Sequence, residues 1–555
     1  MDYHAIQDHF AGRRPVLLIV LDGWGIGKKP EWDAIRQADT PVMDRLWAEY
    51  PHTTLFTQGL HVGLPGKTDL GGSEVGHLTM GAGRILDQGP TRIFKGIADG
   101  SFFRSEVLAE LIDHCRGSDH ALHLIGLLSD GNIHSHIDHF VAVIEHADRE
   151  GVERLRVHAL LDGRDVGIQS ALDYTGRLEA LFDGINGQGN RDYRFASGGG
   201  REAITMDRDC TWPKVEAGWN IHVHGESANR FRSIEEAVLH FRKERPEIID
   251  QDLPGFVIVD GNDRPVGPVH DGDAMLFMNF RADRAVEFTQ AMELDDFPHF
   301  ERRRPDCLYA GMMVYDEDRY LPRRQVMGPT KVDGPFGERL VAMGLRQFRL
   351  TETQKYPHVT FFFNGGRREP LDRDLEEYLL IDSDKIDSFA NAPAMKAVEI
   401  ADQAVVLIGS GRFDFGMINF ANTDMVGHTG DFAAAKVAAT TVDTALGRIL
   451  AAVEAAGGAA LILADHGNAD EMLILNKRGE AEISTKHSIN PVPCICFDPQ
   501  AQRPYTLRQP DGDATPGHAP GLSHVAATLY LMLGRPVPEG LNAPLLVPAS
   551  VRTVG

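Results

Sequence analysis

The sequence predicts an α/β protein with largely parallel sheets, organised as two domains. Three observations carry this. Short apolar runs alternate with helix-length amphipathic segments, several runs end directly on an aspartate, and chemistry-bearing motifs lie on both sides of an arginine-rich middle section. The runs fall at 15–21, 121–128, 154–161, 255–259, 274–279, 359–363, 416–420, 459–464 and 492–497. Between them lie segments such as 433–456, where Val437, Ala438, Val442 and Ala445 approximate a helical stripe. A Gly-rich stretch at 81–90 and a Pro- and charge-rich stretch at 298–334 read as crossings between domains. The expected organisation is one domain built from both chain ends, with a second inserted into it.

Composition narrows the function. The 555 residues carry a formal net charge of −24, which argues against a general nucleic-acid binder but allows a small anionic substrate held by local arginines. The five cysteines make no disulfide framework, and Cys494 and Cys496 alternate within VPCICF as buried strand residues. The N-terminal residues lack the apolar core of a signal peptide, and no run approaches the roughly 18 apolar residues of a membrane span. A cytoplasmic protein is expected.

The runs at 15–21, 416–420 and 459–464 lead to Asp22, Asp424 and Asp465. Open α/β sheets bind ligands at the carboxyl ends of their strands. One aspartate after a strand is usually a turn residue. Three together, with His428 four residues past Asp424, His466 beside Asp465, and His487 ahead of the Cys-containing run, point to a metal site. Mixed carboxylate and imidazole donors suit Mn²⁺, Zn²⁺ or Co²⁺, whereas all-oxygen ligation favours Mg²⁺. Two such ions a few Å apart suit in-line phosphoryl displacement.

Ser73 follows Gly71-Gly72 and opens an expected helix, where a phosphate would meet free amide hydrogens and the positive helix end. Alone it reads as an N-cap. Beside two metals it becomes the natural nucleophile. The middle section supplies His134, Arg164, Asp165, Arg201, Arg208, Arg281 and Arg284, and Lys355 and His358 follow beyond it. Guanidinium forks match both carboxylate and phosphate, so a small metabolite carrying both is the expected ligand. His134 is suited to exchanging a proton with a substrate hydroxyl.

Ten motifs in order, VLDGWG, GGSEVGHLTMGAGRI, LLSDGNIHSHIDH, LLDGRDVG, TMDRD, NFRADR, TQKYPHVTFFFNGG, NFANTDMVGHTGD, LADHGNAD and HSINPVP, resemble those of the cofactor-independent phosphoglycerate mutases of the alkaline phosphatase superfamily. The resemblance implies a phosphatase-like α/β domain from residues 1–88 and 326–555, with an inserted phosphotransferase domain at 89–325. It implies interconversion of 2- and 3-phosphoglycerate in glycolysis and gluconeogenesis through phospho-Ser73, without free 2,3-bisphosphoglycerate. It places one metal on Asp424, His428 and His487 and a second on Asp22, Ser73, Asp465 and His466, with Mn²⁺ ahead of Mg²⁺ and Co²⁺. His134, Arg164, Asp165, Arg201, Arg208, Arg281, Arg284 and Lys355 match the substrate set, and Ser73, His134, Asp165 and Lys355 the catalytic one. Gly72 stands where the family usually has Asn, and Glu202-Ala203 where an aromatic residue is common after the arginine. The expected protein is a monomer acting on a small molecule, with no nucleic-acid or membrane partner. A metal-dependent phosphomonoester hydrolase of the same superfamily is the alternative.

Overall fold

A computed structural model describes residues 2–64, 66–207, 210–316, 319–328, 332–386, 388–475, 481–500, 502–510, 512 and 514–549. The chain divides into two compact units, Met1–Gln88 with Thr330–Gly555, and Gly89–Pro329.

The first unit is built on a seven-stranded sheet. Its order is Glu376–Ile381, Gln347–Glu352, Phe415–Phe420, Val16–Leu21, Ala459–Leu463, Val492–Phe497, His52–Leu55. The first five strands are mutually parallel, and Val492–Phe497 runs antiparallel to both its neighbours. Every residue of Val16–Leu21 is buried, as expected of a strand covered on both faces, which explains its unbroken apolar sequence. Helices Ala397–Gly409 and Phe432–Ala455 pack on each other and on the sheet. The longer one starts where the Asp431 carboxylate accepts the Ala434 N–H at 2.9 Å. Cys494 and Cys496 are buried strand residues, as the alternation suggested.

The run at 359–363 is not a strand. His358–Phe362 forms a single π-helical turn, with the Phe363 N–H donating to the His358 carbonyl at 3.1 Å. A short continuous apolar run does not distinguish a buried strand from a buried helical turn. Here the Thr360 hydroxyl donates to the Tyr356 carbonyl at 2.6 Å and stabilises the turn. Helix Ser73–Ala82 begins at a Gly72 N-cap, so the Ser73 hydroxyl is not used as the cap.

The inserted unit has its own seven-stranded sheet, in the order Arg230–Phe231, Phe256–Ile258, Asp192–Gly200, Arg154–Leu161, Leu122–Leu127, Ala274–Phe277, Leu308–Gly311. Neighbours are parallel except Asp192–Gly200 with Phe256–Ile258. This unit continues past residue 325 because Val326 N–H donates to the Gly311 carbonyl and Met327 N–H to that of Met312, extending the edge. Two apolar layers cover the sheet, one on each face. Among the described residues no helix is long and apolar enough to cross a membrane.

Ile19 is fully buried in the central strand of the first sheet, level with Ile418 on one neighbour and Ile462 on the other. Ile19→Ala should lower the unfolding free energy by about 3 kcal/mol, read from urea titrations followed by circular dichroism. A loss below about 1 kcal/mol would contradict close packing at this position.

Candidate active site

Four strands of the first sheet deliver side chains to one edge. Asp22 follows Val16–Leu21, Lys355 ends the turn Thr353–Lys355 after Gln347–Glu352, Asp424 lies in helix Asn422–Gly427 after Phe415–Phe420, and Asp465 and His466 follow Ala459–Leu463. Gly23 makes the approach possible. It has φ +74°, and a Cβ there would lie 2.7 Å from the Asp424 backbone nitrogen.

Lys355 Nζ donates to Asp22 Oδ1 at 2.8 Å, to Ser73 Oγ at 2.7 Å and to Asp424 Oδ2 at 2.7 Å. Ser73 Oγ lies 3.1 Å from Asp22 Oδ1 and 2.9 Å from His466 Nε2. Asp424 Oδ1 stands 3.2 Å from His428 Nε2, 3.2 Å from His487 Nε2 and 4.0 Å from His466 Nε2. Two groups of donors therefore converge, Asp424 with His466 and His487, and Asp22 with Asp465 and His466. His466 stands in both, and His428 joins the first through Asp424.

The histidine orientations suit a divalent cation. Each outer nitrogen meets a backbone carbonyl: His428 Nδ1 that of Thr485 at 2.7 Å, His487 Nδ1 that of Gly71 at 2.8 Å, and His466 Nδ1 that of Gly467 at 3.3 Å. A neutral imidazole that donates Nδ1–H outward turns its Nε2 lone pair inward, the usual support for a metal-ligating histidine. The charges agree. Asp22, Asp424 and Asp465 are buried, and the Lys355 ammonium contacts two of them, Asp22 and Asp424, which leaves an excess of negative charge. Burial, with Asp465 nearby, pushes the Asp22 carboxyl above its usual range. Burial would do the same to Asp424, but Lys355 and His466 hold it well below. Burial alone would pull Lys355 down, yet Asp22 and Asp424 keep it firmly protonated.

Supporting residues that the sequence reading passed over complete the cluster. His77, one turn after Ser73, donates Nδ1–H to the Ser73 carbonyl at 2.7 Å. Asn419 Nδ2 contacts Asp22 Oδ2 at 2.9 Å, and Asn468 Nδ2 donates to Asp424 Oδ1 at 3.0 Å. Asp470 accepts from the Ser488 hydroxyl and from Asn490 Nδ2, both at 2.8 Å, pinning the segment after His487. His77, Asn468 and Asp470 all lie inside quoted motifs, so their proximity to Ser73 and Asp465 was the available signal.

The inserted unit gathers its polar residues at the carboxyl edge of its own sheet. Buried Asp162 Oδ1 accepts from Arg201 Nη1 at 2.9 Å and from the Arg164 and Asp165 amides, while Oδ2 accepts the Ser129 hydroxyl at 2.6 Å. Arg201 also pairs closely with Asp165. Glu202 contacts Arg164 at 3.2 Å, Arg284 at 3.1 Å and Lys214 at 3.3 Å. Burial would raise its carboxyl pKa, but Arg284 and Lys214 lower it. Asp283 joins His134 and Arg281, at 3.4 and 3.2 Å. Arg201 and Arg284 are buried, whereas the Arg164 and Arg281 side chains are half-exposed. Arg208 lies outside the described residues. Lys355 belongs to the first unit, with Asp22, Ser73 and Asp424.

A two-unit α/β chain with this carboxylate–histidine centre is a metalloenzyme: the profile of the metalloenzyme superfamily matches residues 14–535. A "Probable 2,3-bisphosphoglycerate-independent phosphoglycerate mutase" of Leptospira interrogans is 43% identical over 545 residues, covering 96% of this chain and 97% of the relative. The enzyme named "2,3-bisphosphoglycerate-independent phosphoglycerate mutase" from Trypanosoma brucei brucei is 40% identical over 549 residues, covering 96% and 97%. A crystal structure of Leishmania mexicana phosphoglycerate mutase at low cobalt concentration aligns with TM-score 0.66 and 39% identity over 97% of this chain and 98% of that one. The chain belongs to the 2,3-bisphosphoglycerate-independent phosphoglycerate mutase family.

Asp470→Ala leaves Ser488 and Asn490 without their acceptor and frees the segment that carries His487. Titration calorimetry with Mn²⁺ should show binding weaker by about 10–100-fold. Unchanged affinity would separate Asp470 from the metal centre.

Proposed function

We propose that this chain interconverts 2-phosphoglycerate and 3-phosphoglycerate, in glycolysis and gluconeogenesis, by passing the phosphoryl group through Ser73 without a bisphosphate cofactor. The observation that supports it best is the setting of Ser73 Oγ: at a helix N-terminus, 2.7 Å from Lys355 Nζ and 2.9 Å from His466 Nε2. The unit made from both chain ends is the alkaline-phosphatase-like domain that carries transfer. The inserted unit is the substrate domain.

Two divalent ions, Mn²⁺ ahead of Mg²⁺ and Co²⁺, held by Asp424, His428 and His487 and by Asp22, Ser73, Asp465 and His466, would lower the serine pKa and spread charge on the transferring group. Ser73 Oγ attacks the phosphorus in line as the bond to the substrate oxygen breaks. Lys355 donates hydrogen bonds to the equatorial oxygens, and the N-terminal amides of the Ser73 helix stabilise the same charge. Arg164, Arg201, Arg208, Arg281 and Arg284 hold the carboxylate and phosphate of the substrate. His134 or Asp165 returns a proton to the departing oxygen, then takes one from the other hydroxyl before it attacks phospho-Ser73. Dividing the isomerisation into two displacements lets one fixed nucleophile serve both hydroxyls. The metal-site residues come from one chain and require no second subunit, which supports a monomer, and we assign it to the cytoplasm.

Phosphorus NMR of 3-phosphoglycerate with the Mn²⁺-loaded protein, and no added bisphosphate, should show 2-phosphoglycerate rising to a stable ratio. Inorganic phosphate alone would replace the mutase by the hydrolase. Ser73→Ala should lower turnover by about 10³-fold or more, with the substrate still bound.

A further inference from the structure

The inserted unit contains a continuous line of buried polar side chains that the transfer chemistry does not use. Asp273 Oδ2 lies 3.2 Å from His123 Nε2, and His123 Nδ1 is 2.9 Å from His158 Nε2. His158 Nδ1 is 2.7 Å from Ser197 Oγ, which is 2.7 Å from His222 Nδ1. His222 Nε2 ends the line 3.0 Å from Thr205 Oγ1. All six residues are buried.

The line crosses the sheet because of one irregularity. Between Arg154–Leu161 and Asp192–Gly200 the register shifts, so Val157 faces Phe195 but His158 faces Ser197. The extra residue, Ala196, brings a hydroxyl instead of a methyl group opposite the imidazole.

Its polarity follows from donor and acceptor counting. Asp273 also accepts the Ala121 and His270 amides, and these bonds with His123 hold its carboxyl below the usual range against the effect of burial. An ionised carboxylate only accepts, so His123 Nε2 donates. Burial keeps His158 well below the ordinary histidine value and His222 near 3, so each ring is neutral and carries one proton. His123 Nδ1 therefore accepts from His158 Nε2–H, His158 Nδ1 from the Ser197 hydroxyl, Ser197 from His222 Nδ1–H, and His222 Nε2 from the Thr205 hydroxyl. Each bond then has one donor and one acceptor.

Thr205 occupies an unusual conformation. Its φ is +67°, a region that a β-branched residue adopts only when its surroundings impose it. The Thr205 N–H donates to the Lys214 carbonyl at 3.1 Å. Its side chain fits over Gly218, where a Cβ would come within 2.0 Å of Oγ1. Thr205 lies in the turn that follows Arg201, and Arg284 donates to the Met206 carbonyl at 2.9 Å.

We propose that His123, His158, Ser197 and His222 are positioning residues, forming a one-directional hydrogen-bond chain anchored on Asp273 that holds Thr205 in its left-handed turn and so aligns the arginine loop for phosphoglycerate. This rests on the reading above that those arginines bind the substrate. A purely structural role would change stability and leave substrate affinity untouched.

The test compares Thr205→Val, which keeps the size and loses the hydroxyl, with Thr205→Ser, which keeps the hydroxyl. For T205V the KM for 3-phosphoglycerate, and its dissociation constant by calorimetry, should rise about tenfold while kcat changes less than about threefold. T205S should stay near wild type. Histidine-selective ¹⁵N NMR at pH 7 should show His222 protonated on Nδ1, and His123 and His158 on Nε2. T205V with unchanged affinity, T205S as impaired as T205V, or the opposite tautomers would each overturn the proposal. Should the wild type bind 3-phosphoglycerate without isomerising it, the mutase reading fails, while the affinities and tautomers still decide the positioning role.

Discussion

Three buried carboxylates at one sheet edge set the terms for the rest of the first unit. An ionised carboxylate removed from water is costly unless it is paired and hydrogen-bonded, and Asp22, Asp424 and Asp465 are buried together. Lys355 answers part of that demand by bonding two of them, which is why its long side chain can be buried at all. The balance favours cations with more than one charge. The Nε2 atoms of His428, His466 and His487 face inward, where imidazoles would complete a coordination sphere without adding negative charge. Ser73 enters this setting from a helix start at Gly72, and its hydroxyl lies between the Asp22 carboxylate and the Lys355 ammonium.

The inserted unit solves a milder form of the same problem. Its arginines are fixed by carboxylates before any ligand arrives: Arg201 by Asp162 and Asp165, Arg284 by Glu202. A guanidinium held in place loses little freedom when it meets a carboxylate or phosphate, so pairing serves orientation as well as burial. Glu202 gathers Arg164, Arg284 and Lys214 around itself. Arg164 and Arg281 are half-exposed and so remain open to an incoming anion, which a guanidinium meets with its in-plane N–H donors.

Much of the first unit's site was legible because strand-end aspartates leave a local pattern: an apolar run, then Asp, then Gly or His. Asp22 and Asp465 are found that way, and Asp424 by its place shortly after a run and four residues before His428. The π-turn at His358–Phe362 was misread because VTFFF carries no period, and only the tertiary setting selects a turn over a strand. Asn419 was passed over because it lies inside a buried strand, where its amide looks like an interruption of the apolar run. The line from Asp273 to Thr205 was illegible for a different reason. Its members are scattered over the segment 123–273, and one link depends on a bulge that no local pattern announces.

Both units bury histidines, and the fate of the second ring nitrogen separates their roles. In the first unit Nδ1 is committed to a backbone carbonyl, and the Nε2 atoms of His428 and His487 come within 3.2 Å of each other. Two neutral acceptors brought that close repel unless a cation or a proton lies between them, so this geometry favours a metal. In the inserted unit each ring of His123, His158 and His222 spends both nitrogens on neighbouring groups, one donating and one accepting. No lone pair is left to offer a metal ion. The same side chain thus suits a ligand or a spacer according to whether its hydrogen bonds leave one nitrogen uncommitted. That distinction lies in the second neighbour of each ring, which explains why residue type and spacing single out the candidate metal histidines and leave the line through the inserted unit unmarked.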